Sequence, residues 1–115
     1  MRCFMKKIHF EFFDEEKVYY DTDLNYTKED EYIVFTLDNV IYKVKLDDNI
    51  EFRRITLEEE FLLRDNECLV TLTGVEGHFK VRVDHYKFCK KDSEFVIEYA
   101  LESDTDKRKT IKFIL

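Results

Sequence analysis

The chain has 115 residues, 26 acidic against 19 basic side chains for a net charge of −7, 44% apolar residues and no proline. That length makes one domain with a core of its own, spanning 1–115, and the apolar content excludes intrinsic disorder. The negative balance argues against nucleic acid and anionic membrane as partners. Both demand clustered Lys and Arg, whereas Lys6-Lys7, Arg53-Arg54, Lys90-Lys91 and Lys107-Arg108-Lys109 all have acids close by in the chain.

Short runs of alternating apolar and polar residues, separated by acids and amides, fill the chain. Phe4–Phe13 places Ile8, Phe10 and Phe12 on one face, and Asp14-Glu15-Glu16 turns. In Lys17–Thr27 the residues Val18, Tyr20, Leu24 and Tyr26 share a phase. Tyr32–Leu37 and Val40–Leu46 follow, joined by Asp38-Asn39, a pair that tolerates the positive φ of a tight hairpin. Ile50 and Phe52 are in even phase but Ile55 and Leu57 are odd, which predicts a bulge near Arg53-Arg54. Thr56–Arg64 has two readings: Thr56-Leu57-Glu58-Glu59 resembles a capping box opening a short helix, while Glu60–Arg64 reads as a strand closed by Asp65-Asn66. Cys68, Val70 and Leu72 alternate, Gly74 and Gly77 bracket a turn, and Phe79, Val81 and Val83 return with a slip of phase near Asp84-His85. Phe95–Leu101, a turn at Ser103–Asp106 and Ile111–Leu115 complete the chain.

Many sequential strands with short turns make an antiparallel meander, because parallel strands need long crossovers. Closing the sheet removes its exposed edges. The predicted fold is therefore all-β, a closed or nearly closed antiparallel up-and-down barrel; the alternative is a two-sheet sandwich.

The stretches Leu24–Leu37, Cys68–Val83, Phe95–Leu101 and Thr110–Phe113 resemble the YwiB-like group of small uncharacterised bacterial proteins. The resemblance implies a calycin-like, lipocalin-like barrel of eight to ten strands, and carries no catalytic residues over. The abundance of Lys, Ile, Asn, Phe and Tyr beside a single Ala also suits an AT-rich bacterial genome.

Chemistry-bearing motifs are sparse. His85 and Cys89 fall on one face of a strand, but Cys3, His9, Cys68 and His78 are scattered without metal-ligand spacing, so no metal and no cofactor are expected. The cysteines Cys68 and Cys89 read as small buried apolar groups, and His78 as a turn cap beside Gly77. Glu11 and Glu98 interrupt apolar runs but lie on the polar face. Two glycines in a hairpin make no phosphate loop. Catalysis is thus the least supported role.

The remaining signal is aromatic. A barrel of about eight strands either fills its interior with side chains or holds one small ligand. Tyr20, Tyr26, Phe35, Tyr42, Phe52, Phe79 and Tyr99 lie in inward phase and are the candidate lining of a pocket for a small apolar or amphipathic molecule. The same rings packed solid would leave an interaction or homodimerisation module, with Tyr32, Val34, Leu69 and Val96 outward. With no apolar leader or span and an odd cysteine count, the expected setting is a reducing cytoplasm and the expected state a monomer or homodimer.

Overall fold

The computed structural model describes residues 6–102 and 107–115; Cys3, the start of the strand read from Phe4 and the turn at Ser103–Asp106 lie outside them. Among the described residues, eleven strands follow in order: β1 (Lys6–Asp14), β2 (Val18–Glu29), β3 (Tyr32–Leu37), β4 (Val40–Lys45), β5 (Glu51–Ile55), β6 (Glu59–Arg64), β7 (Glu67–Leu72), β8 (Phe79–Val81), β9 (Val83–Lys91), β10 (Glu94–Leu101) and β11 (Lys109–Ile114). No described residue is α-helical, and no helix is long and apolar enough to cross a membrane.

The strands form one antiparallel sheet in the order β8-β7-β6-β5-β4-β3-β2-β1-β11-β10-β9. The first strand is zipped to the last, from His9 opposite Ile114 to Asp14 opposite Lys109. The two outer strands of that order, β8 and β9, are separated in the chain only by Arg82. Strand β8 pairs with β7 and β9 with β10, so one nearly continuous run of chain joins the two ends. The backbone amide of Glu102 donates to the carbonyl of Arg82 at 3.0 Å, fastening the junction. Strand β2 makes a similar handover: Lys6 opposes Tyr26 on β1, and from Thr27 onward it pairs with β3. The result is the expected nearly closed barrel.

Acids open the tight turns. Asp30, Asp38, Asp65 and Asp92 each begin a two-residue hairpin loop with φ of 52–55°, and Asn39 follows Asp38 at 64°. Asx side chains adopt this left-handed region at lower cost than other non-glycine residues. Gly74 (φ 81°) and Gly77 (φ 83°) supply it in the longer β7–β8 loop.

The inward residues of every long strand meet in one core. Phe10 is its hub: its ring centroid lies 5.3 Å from those of Phe35 and Tyr42 and 5.4 Å from that of Phe113. Phe52 extends the chain of rings from Tyr42 to Phe61, and Phe61 reaches Tyr99 at 6.5 Å. Ile8, Val44, Leu63, Cys68, Ile97 and Ile111 fill the spaces between.

Local expectations fared unevenly. The slip at Asp84 is present: His85 opposes Ala100 but Val83 opposes Leu101. The bulge at Arg53-Arg54 is not, since β5 pairs with β4 and β6 without a shift. Arg54 instead takes the inward slot and Ile55 turns outward. The arginine is accommodated because its guanidinium lies 5.4 Å from the Phe61 ring centroid and 3.9 Å from Glu59 while its stem covers apolar surface. Thr56–Arg64 is a turn followed by strand. The Thr56 hydroxyl accepts from the amides of Glu58 and Glu59, at 3.3 and 3.1 Å, so the capping residue caps a turn.

Truncating a hub ring leaves a cavity that close-packed neighbours cannot fill. Phe113→Ala should lower the unfolding free energy by about 3–5 kcal/mol, and Phe79→Ala on the exposed lip by less than about 1 kcal/mol. Urea titration of both variants checks this; equal losses would contradict the assignment of the core.

Candidate ligand-binding cleft

The seven aromatic candidates separate into three environments. Phe35, Tyr42, Phe52 and Tyr99 are buried in the core itself, each no more than 3% exposed. Burial pushes the Tyr42 hydroxyl up to about 12. Tyr20 is half-buried at one barrel end and donates to Asp38 Oδ2 at 3.0 Å. Tyr26 is half-buried at the opposite end. Phe79 is a correction: it shares the inward phase of Val81, yet is 52% exposed, because the inner face of β7 and β8 runs out past the core. Across the row Phe35–Tyr42–Arg54–Phe61–Val70–Phe79, each opposite the next, burial fades toward the last two members.

Tyr26 opens onto a cleft of about 150 Å³ lined by Lys6, Tyr26, Lys28, Glu31, Ile33, Leu46 and Leu115. Tyr26 and Lys28 share a face of β2 where its described pairing passes from β1 to β3. Tyr26, Ile33, Leu46 and Leu115 make an apolar floor. Leu115 is held there by its amide, which donates to the Ser93 carbonyl at 3.0 Å. Lys6 and Lys28 stand beside the floor as cations. The Glu31 carboxylate is engaged by Lys45 Nζ at 3.4 Å. Hydrophobic contact below and two ammonium groups alongside suit a small amphipathic anion. At roughly 30 Å³ per liquid water, the space equals about five waters, room for a short tail or a single ring.

The rim of this cleft is braced from outside the barrel. Glu51, 8% exposed, accepts from the Tyr32 hydroxyl at 2.6 Å and from Arg64 Nη1 at 3.4 Å, linking β3, β5 and β6. Lys43 lies over the Tyr32 ring at 4.9 Å and Arg53 at 5.9 Å, so this outward aromatic is roofed by cations and offers no bare apolar face. Burial pushes the Glu51 carboxyl upward, but the Tyr32 and Arg64 hydrogen bonds and the nearby guanidinium groups outweigh it and hold the pKa below the ordinary 4.5.

The remaining chemistry-bearing groups are dispersed over the described residues. His85 Nε2 lies 3.0 Å from Glu98 Oε1, which Arg108 approaches at 3.5 Å. Cys89 shares the outer face with His85 but is exposed, a correction to its reading as a buried group; β9 is an outermost strand in the pairing order and no described residue covers that face there. Cys68 is fully buried, and burial pushes its thiol up to about 11. His78 is exposed in the loop after Gly77. Two features escaped the sequence. The inward Arg54 was hidden by the expected bulge. The outward cluster of His9, Glu11, Asp21 and Asp23 takes shape only when β1 and β2 are set in register.

No family model matches the chain, and no curated protein matches it. Among solved structures, the YwiB protein from Bacillus subtilis is similar at a TM-score of 0.49 and 12% identity, over 93% of this chain and 87% of that one.

Two outcomes follow from the site's surroundings. Because the depressed Glu51 pKa adds stability above about pH 4.5 that is lost as pH falls through the folded value, Glu51→Gln should cost about 1–2 kcal/mol at neutral pH and nothing in strong acid. Urea midpoints against pH test this. Alkylation followed by peptide mapping should label Cys89 in the native protein and Cys68 only after unfolding; rapid native labelling of Cys68 would contradict its burial.

Proposed function

We propose that this chain is a non-catalytic binding protein of calycin-like, YwiB-like architecture that holds a small amphipathic anion at one end of its barrel. The observation that carries the reading is the cleft of Tyr26, Ile33, Leu46 and Leu115 with Lys6 and Lys28 beside it: an apolar floor with local positive charge on a chain whose net charge is −7. The ring-filled core directs ligands to the barrel end and away from the axis. Among the described residues the cysteines Cys68, buried, and Cys89, exposed, are free thiols, which suits a reducing cytoplasm.

A second reading has its own support. Leu57, Leu72, Val75 and Phe79 are all exposed and belong to the β5–β6 and β7–β8 loops or the strand ends beside them. The Thr73 hydroxyl donates to the Leu57 carbonyl at 2.8 Å, which ties the two loops together. An apolar end of this kind suits contact with another protein.

NMR titration with hexanoate and hexylamine separates the readings. Hexanoate should shift Tyr26, Ile33 and Leu46 resonances, hexylamine should not, and Lys28→Glu should weaken hexanoate binding about fivefold, equivalent to ~1 kcal/mol for one exposed charge contact. No response at the cleft, or equal response to both probes, overturns the binding reading. A concentration-dependent dimer in sedimentation that Leu57→Asp abolishes would favour the second.

A further inference from the structure

We propose that the outer face of β1 and β2 carries a divalent transition-metal site formed by His9, Glu11 and Asp21, with Asp23 as the carboxylate that orients the histidine.

The pairing of β1 with β2 places His9 opposite Asp23 and Glu11 opposite Asp21. Since Ile8, Phe10 and Phe12 point into the core, the alternation turns His9 and Glu11 outward, where the two β2 aspartates also lie. His9 Nε2 is 2.9 Å from Asp21 Oδ1 and 3.7 Å from Glu11 Oε2, and one ligand atom from each of the three residues lies within 4.8 Å of the others. Donors held about 2.1 Å from one ion stand roughly 3–3.5 Å apart, so small side-chain rotations complete the geometry.

Two further features bear on metal binding. His9 Nδ1 lies 2.7 Å from Asp23 Oδ1. A carboxylate on Nδ1 keeps a proton there, the outer-shell arrangement that metal-bound histidines use, so that Nε2, which faces Asp21 at 2.9 Å, ligates once a metal ion takes the place of its proton. The charge balance is also one-sided. Three carboxylates surround one imidazole, and among the described residues the ammonium that reaches them, Lys112 Nζ, is 4.0 Å from Glu11 but 2.7 Å from Glu94. A proton on Nε2 offsets one of those charges and a divalent ion two. One imidazole with two carboxylates, partly open to solvent, is a donor set for Zn²⁺, Co²⁺ or Mn²⁺, water filling the remaining positions.

The test is calorimetric titration of Zn²⁺ into the full metal-free chain at neutral pH, with Co²⁺ as a spectroscopic probe. The expected result is one ion per chain, affinity reduced at least tenfold in His9→Gln and in Asp21→Asn, and a Co²⁺ spectrum without thiolate charge transfer. The half-exposed setting of His9 permits both variants to fold, which circular dichroism verifies. Glu11→Gln gives a third reading of the same site. Wild-type affinity no greater than that of the variants, or thiolate bands in the Co²⁺ spectrum, overturns the proposal.

Discussion

The pairing of β1 with β11 is the constraint on which the rest of the structure depends. It brings Phe10 and Phe12 beside Phe113 and Ile111, so rings from the two ends of the described chain meet at the centre of the core. These are the contacts most distant in sequence, and they carry the largest loop-closure cost. Their reward is an aromatic network in which Phe10, Phe35, Tyr42, Phe52 and Phe113 each touch several other rings, with offset and edge-on geometries that add to simple burial.

Closure then decides where function can reside. Once Phe10, Phe35, Tyr42, Phe52 and Phe113 occupy the axis, the functional surface consists of the barrel ends and the outer faces. The two handovers differ in consequence. At Arg82 the chain passes directly from β7's partner to β10's, and a backbone hydrogen bond from Glu102 seals the joint. In β2 the described pairing passes from β1 to β3 beside the cleft at Tyr26. The same strand, on its other face, holds the two aspartates near His9. A single strand therefore serves an apolar cleft on its inner side and a charged cluster on its outer side, because alternate residues face opposite ways.

Strand positions were legible because the period of two is strong and because Asp and Asn mark the turns. Burial was less legible, and the reason is geometric. Phase tells which face a residue takes but not how far along the barrel it sits, so Phe79 and Phe35, alike in phase, differ in exposure. Arg54 shows the complementary failure: Ile55 and Leu57, out of phase with Ile50 and Phe52, suggest a bulge at Arg53-Arg54, whereas a strand end lets the long Arg54 side chain lie over Phe61 and approach Glu59. The cluster around His9 was present as two short spacings, His9-x-Glu11 and Asp21-x-Asp23. Neither means anything until the register across two strands is known.

Hydrogen exchange of the β1 and β11 amides followed by NMR tests the closure most directly. If the first and last strands are locked together by the ring core, the amides bonded between them exchange only through global unfolding, with protection equal to the unfolding free energy measured in urea. Exchange of those amides much faster than that of the β4–β5 ladder would show that the barrel opens along this seam, and would contradict the account.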